Sequence, residues 1–121
     1  NPDIVRRGVA AVLEGRATGR YYVIDGDGRD AAGSVAQLMI THEWSDWRAV
    51  DVWWIQSVYV APAWRRRGLY RALYDHARQE AQAAGAGGIR LYVDTRNLRA
   101  QAVYRALGMD GDHYRVFEAM G

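Results

Sequence analysis

"VWWIQSVYVAPAWRRRGLYRALYDHA", residues 52–77, decides the fold. Its opening nine residues, Val52 to Val60, are almost all apolar, β-branched or aromatic, which predicts a central strand buried on both faces. Pro62 ends that strand. The periodicity then changes. From Arg66 to Ala84, Leu69, Leu73, Ala77, Ala81 and Ala84 fall on one stripe, while Arg71, Asp75, Arg78, Gln79 and Gln82 take the other side. That spacing predicts a helix over 66–84, stopped by "GAGG" at 85–88. A strand, a short loop and a helix N-terminus in this order make an anion site. The first helical N–H groups have no intrahelical acceptor, and the helix dipole places partial positive charge there. Gly68 lacks a Cβ and admits a ligand to the backbone. Arg65, Arg66 and Arg67 add guanidinium forks suited to phosphate oxygens.

Upstream, Asn1 as a cap, Pro2 at the first turn and Val5, Val9, Val12 and Leu13 at helical spacing predict a helix over 2–14, closed by Gly15. "RYYVID" and "GSVAQLMITH" are β-rich runs joined by a turn-forming stretch, which predicts two antiparallel strands. "DGDGRD" has two aspartates spaced like a calcium loop, yet Arg29 and Ala36 occupy positions that need oxygen ligands, so it is read as a hairpin loop. Downstream, "IRLYVDT" predicts a buried strand and Asn97 caps a helix "LRAQAVYRAL" that Gly108 closes. "HYRVFEAM" predicts a last strand. The expected order is α-β-β-β-α-β-α-β, with no internal repeat or linker.

Composition narrows the function classes. A chain of 121 residues, half of them hydrophobic, fits one domain over 1–121. All 16 basic residues are arginine, yet the net charge is only +2, too small an excess for a nucleic-acid footprint. The absence of cysteine excludes thiolate metal sites, disulfides and a cysteine nucleophile. His42, His76 and His113 lack ligand spacing, so no metal is expected. With no long apolar run and no charged-then-apolar leader, neither a membrane span nor a signal peptide is expected, and a cytoplasmic location follows.

Two signatures, "RRRGLY" at 65–70 and "NLRAQAVYRALGM" at 97–109, together resemble the GNAT superfamily of acyl-CoA-dependent N-acyltransferases. The resemblance implies a mixed α/β fold, a mostly antiparallel central sheet flanked by helices, lacking the usual first strand and helix. It implies acetyl-CoA as cosubstrate. Its pyrophosphate would lie on Arg65, Arg66, Arg67, Gly68, Leu69 and Tyr70. Tyr70 departs from the family's Gly or Ala, and its ring is expected to lie outward beside Tyr74. The pantetheine arm would bond the backbone of Val58, Tyr59 and Val60 on a bulged strand. Asn97 opens the second signature, and Tyr104 takes the role of proton donor to the departing thiolate. The family's frequent glutamate base aligns with Gln56, which cannot take a proton at neutral pH, leaving a water chain, Asp51 or Glu43. Glu43 and Asp46 flank a mouth loop where they could hold an ammonium substrate. Trp44, Trp47, Trp53 and Trp54 could line an aromatic pocket, although adjacent Trp53 and Trp54 must face opposite sides.

The resemblance thus implies an N-acetyltransferase acting on a primary amine by direct attack in a ternary complex. The alternative is a catalytically weak acyl-CoA-binding or regulatory module. Without the usual first elements, "YYVID" becomes an exposed sheet edge, which favours a homodimer.

Overall fold

In the computed structural model, which describes residues 19–25 and 34–121, four strands form one sheet. They are β1 (Arg20–Asp25), β2 (Ser34–Ser45), β3 (Val50–Val60) and β4 (Ile89–Leu91), hydrogen-bonded in that order. β1 with β2 and β2 with β3 run antiparallel, whereas β3 with β4 runs parallel. Two helices accompany the sheet among the described residues, α1 (Leu69–Ala83) and α2 (Leu98–Ala106), with a 3-10 turn at Pro62–Trp64 after β3. This is the mixed α/β architecture expected from the sequence. The helix expected over 2–14 and the loop after β1 lie outside the described residues.

Side chains alternate across the sheet, and one face packs under α1. Leu38 and Ile40 of β2 and Trp53 and Ile55 of β3 are buried there with Leu73, Tyr74, Ala77 and Ala81 of the helix. Each fully buried Leu or Ile side chain stabilises by about 1.5–3 kcal/mol relative to exposure. Alanines at 77 and 81, 0% and 2% exposed, let the helix backbone approach the sheet where a longer side chain would hold it off. Gly87 serves a similar purpose: a Cβ there would meet Val50 Cγ2 at 2.6 Å, and its N–H donates to the Asp51 carbonyl at 2.8 Å. The loop after α1 is thereby clamped to the start of β3.

Several boundaries differ from expectation. The central helix starts at Leu69 rather than Arg66, because Arg66 and Gly68 both adopt left-handed backbone conformations that cannot belong to a right-handed helix. Tyr74, paired in the sequence reading with an outward Tyr70, is core, and Tyr70 itself is half-buried. "IRLYVDT" pairs only over Ile89–Leu91, and "HYRVFEAM" joins no ladder among the described residues. Propensity marks residues that suit a pleated surface, but a strand exists only where a partner ladder accepts its N–H and C=O groups. β3 was expected to be buried on both faces throughout. Its burial stops after Ile55. The chain divides into two compact units, the first running through Leu91 and the second over residues 92–121.

Candidate functional site

The site begins where β3 changes partners. Trp53, Trp54 and Ile55 lie opposite Ile89, Arg90 and Leu91 of β4 and, on the other side, opposite β2. Beyond Ile55, β3 pairs only with β2 among the described residues. At the same point the β2 register slips: Ile40 faces Ile55, but Met39 faces Ser57, so Gln56 is the extra residue of a bulge. A bulge breaks the ladder locally and re-aims the chain. Gln56 is fixed in this turn of the strand by its own side chain, whose Nε2 donates to Thr41 Oγ1 at 2.8 Å. Val58, Tyr59 and Val60 follow, opposite Leu38, Gln37 and Ala36, with Tyr59 half exposed.

The loop after β3 is built from local bonds. Ala61 N–H donates to the Val35 carbonyl and Trp64 N–H to the Ala61 carbonyl, both at 2.8 Å. The three arginines then part company. Arg65 turns back, its Nε donating to the Val60 carbonyl at 3.1 Å. The Arg67 guanidinium lies 4.8 Å over the Trp64 ring. Arg66 sits at φ 61°, a conformation that costs a non-glycine residue about 1–2 kcal/mol. Gly68 follows at φ 76° as the N-cap of α1 and supplies no side-chain acceptor, and the first turn contains no acidic residue. A Cβ on Gly68 would have no heavy atom within 4 Å. Apart from its chain neighbours, no described residue stands within 4 Å of that Cβ position, and the first turn sets no carboxylate against the positive end of the helix dipole.

At the opposite end of β3, the turn at 46–49 is closed by the Arg48 N–H to the Ser45 carbonyl at 3.3 Å, and Ala49 is left-handed at φ 53°. Asp46 and Asp51 are exposed. Glu43 Oε1 accepts from Arg90 Nη1 at 3.4 Å, which ties β2 to β4 across β3. The tryptophans separate as alternation requires: Trp53 is 2% exposed and carries the edge of His42 at 5.1 Å, whereas Trp54 is half-buried. Trp44 and Trp47 are 63% and 93% exposed. His76 meets the Tyr22 ring edge-on and His113 the Tyr114 ring, so each histidine has an aromatic neighbour. Among the described residues, no group of three or more His, Cys, Asp or Glu is placed to hold a metal ion.

In the second unit, Asn97 caps α2, its Oδ1 accepting the Ala100 N–H at 3.0 Å. Asp94 stands just before it and accepts the Arg96 backbone N–H and both guanidinium donors at 2.8–3.0 Å. The Arg96 side chain, then its backbone N–H, holds the Asp94 carboxyl below the usual aspartate range. Tyr104 lies one turn beyond Ala100 and is half-buried. Its carbonyl accepts from the N–H groups of Leu107 and Met109, closing the helix around Gly108.

The structure therefore brings Gln56, Val58, Tyr59, Val60 and Arg65 to Tyr70 together along one continuous stretch, and places Asn97 and Tyr104 together on α2. Glu43, Asp46 and Asp51 sit toward the hairpin end. Thr41 and Arg90, which hold Gln56 and Glu43, escape a reading of the sequence. Their contacts follow only from strand register, and the bulge that sets Gln56 diagonally beside Thr41 has no glycine to announce it.

Comparison with known proteins converges on one family. A model described as the Acetyltransferase (GNAT) family matches residues 3–109. A solved structure from Clostridium difficile 630, described as a possible acetyltransferase, is 35% identical with a TM-score of 0.86, covering 100% of this chain and 78% of that one. A second, described as a probable acetyltransferase, shares the fold at 22% identity and a TM-score of 0.82, covering 99% and 78%. A third, the ribosomal-protein-alanine N-acetyltransferase of Brucella melitensis biovar Abortus 2308, shares the fold at 15% identity and a TM-score of 0.72, covering 90% and 75%. Among curated proteins nothing matches.

Proposed function

The chain belongs to the GNAT acetyltransferase family, and we propose that it moves an acetyl group from acetyl-CoA to a primary amine by direct attack in a ternary complex. The observation that carries this reading is the course of β3 and its loop. Beyond the bulge at Gln56, β3 has no second pairing strand among the described residues, which leaves backbone groups of Val58 to Val60, apart from the Val60 carbonyl that accepts from Arg65, for an amide-bearing arm. The loop that follows leads to the helix N-terminus at Gly68. In the proposal, Arg66 and the backbone N–H groups of Gly68, Leu69 and Tyr70 hold the pyrophosphate. Arg65 and Arg67 shape the loop through Val60 and Trp64 and add positive charge.

The chemistry balances simply. The amine nitrogen forms a bond to the thioester carbonyl carbon, the C–S bond breaks, and the departing sulfur takes a proton from the Tyr104 hydroxyl while the amine sheds one. Gln56 cannot receive that proton, because its amide already donates to Thr41 and its carbonyl oxygen is a poor base. A water chain receives it and leads on to Asp51 or Glu43, which stand four to five residues back along the hairpin from the bulge, Glu43 being engaged by Arg90. Gln56 is also the observation that favours the second reading, an acyl-CoA-binding module with weak turnover. A cytoplasmic setting and a homodimer belong to the same proposal. Among the described residues, no helix is long and apolar enough to cross a membrane.

Calorimetry with acetyl-CoA followed by thiol release against a panel of amines tests the proposal. Binding with turnover supports the transferase, and binding without turnover supports the module. Tyr104→Phe is expected to lower kcat by roughly ten- to a thousandfold with acetyl-CoA affinity intact. Unchanged kcat in a folded variant removes Tyr104 from the chemistry.

A further inference from the structure

Two indoles stand in solvent at one end of the sheet, Trp44 at 63% and Trp47 at 93% exposure, while Trp53 of the same hairpin is almost fully covered. Asp46 and Asp51 flank them, and Glu43 lies one residue before Trp44. The turn that holds Trp47 is well fixed. Arg48 N–H closes it onto Ser45, Ser45 is buried, and Gly87 clamps the adjacent Asp51 backbone. An indole held in water by a fixed turn presents a flat π-face, which attracts cations and peptide groups.

The position of this patch limits what can use it. From Val50, next to the turn, to the bulge at Gln56 the strand runs six residues, or about 20 Å at 3.3 Å per residue. A small amine with its nitrogen at the bulge cannot reach Trp47. An extended peptide can, with about six residues between the reacting nitrogen and the indole. Size argues against a second copy of this chain. Two indoles offer at most about 500 Å², whereas a stable interface buries about 800 Å² per partner. Charge argues for a basic segment, since Asp46 and Asp51 are exposed and Arg48 is the single cation of the turn at 46–49.

Resting on the acetyl-transfer reading above, we propose that the acceptor is an extended basic peptide or protein terminus, and that Trp44, Trp47, Asp46 and Asp51 form a docking subsite for its Arg or Lys side chains about six residues beyond the acetylated amine. This subsite selects a long cationic acceptor over a small one. It touches neither the bulge nor the loop at Gly68.

The test uses the whole chain and a synthetic peptide of about ten residues with a free N-terminus and arginines centred about six residues from it, beside its N-terminal tripeptide. Peptide binding is followed by tryptophan fluorescence and acetyl transfer by thiol release. The long peptide is expected to have a KM roughly three- to tenfold below that of the tripeptide. Trp47→Ala should erase that advantage, leaving the tripeptide KM, kcat and acetyl-CoA affinity unchanged. Trp47→Phe should keep part of it. If Trp47→Ala moves both acceptors equally, or the long peptide has no advantage, the subsite is wrong. A Trp47-dependent dimer in sedimentation would also overturn it, in favour of a self-association surface. If neither acceptor is acetylated yet the long peptide binds with Trp47 dependence, the docking stands and the transferase reading fails. Absence of peptide binding with good turnover of small amines fails the docking alone.

Discussion

The two halves of β3 obey different rules. Val50 to Ile55 are paired with β2 and joined to β4 over the last three residues, with Trp53 and Ile55 buried on the face that α1 covers and Val52 buried on the other. Among the described residues Gln56 to Val60 pair with β2 alone, and they are all half-buried or exposed and end in a loop with two left-handed residues. One largely apolar run of sequence therefore makes both a buried segment and an accessible one, the second being where acetyl-CoA is proposed to bind. The difference is made by the register slip at Gln56 and by the shortness of β4, neither of which is a property of β3's composition. Stability is concentrated before the bulge, and accessibility after it.

Substitutions in the two halves should separate accordingly. Trp53→Ala removes an indole that is 2% exposed and is expected to cost about 3–5 kcal/mol, seen as a large fall in the denaturant midpoint. A loss below about 1 kcal/mol would break the contrast. Gly68→Val comes next. Its Cβ would meet no described residue beyond the chain neighbours, but a β-branched residue at φ 76° should cost about 1–2 kcal/mol and set its methyl groups where the pyrophosphate is proposed to lie. Acetyl-CoA affinity, measured by calorimetry on the folded fraction, is expected to fall at least tenfold. Tyr59→Ala, half exposed beyond the bulge, should change stability by no more than about 0.5 kcal/mol and acetyl-CoA affinity little, because the proposed contact there is backbone. The smallest effect is a control in the second unit. Asp94 has its folded pKa lowered by Arg96, so its pairing stabilises above the unfolded aspartate pKa and is lost as pH falls through the lower folded value. A carbon-detected NMR titration should place its midpoint below that of ordinary aspartates, and Arg96→Ala should raise it only in part, because the backbone N–H of residue 96 still donates to the carboxylate.

Much of this was legible in the sequence, for identifiable reasons. The helix stripe with Leu73, Ala77 and Ala81, the antiparallel pair of β1 and β2, and the Asn97 cap all rest on local periodicity or a local hydrogen bond. The arginine-glycine loop was legible because a charge cluster and a glycine mark it directly. The left-handed Arg66 was not, since nothing in a run of three arginines says which one takes φ 61° and thereby delays the helix to Leu69. Nor was the short β4. "IRLYVDT" has strand composition over seven residues, but only three find a ladder, and a ladder belongs to two segments at once. The Gln56 to Thr41 bond was hidden for the same reason, because it exists only once the register has slipped.

The central claim is that acetyl-CoA is held by the part of β3 after the bulge and by the start of α1, and amide-resolved NMR with the unlabelled cosubstrate tests it most directly. On adding acetyl-CoA, the amides of residues 56–60 and 66–71 should shift and gain protection from exchange, while those of Val52 to Ile55 stay as they were. Saturable binding that leaves residues 56–60 and 66–71 unmoved, or shifts centred on the hairpin turn at 46–49, would contradict it.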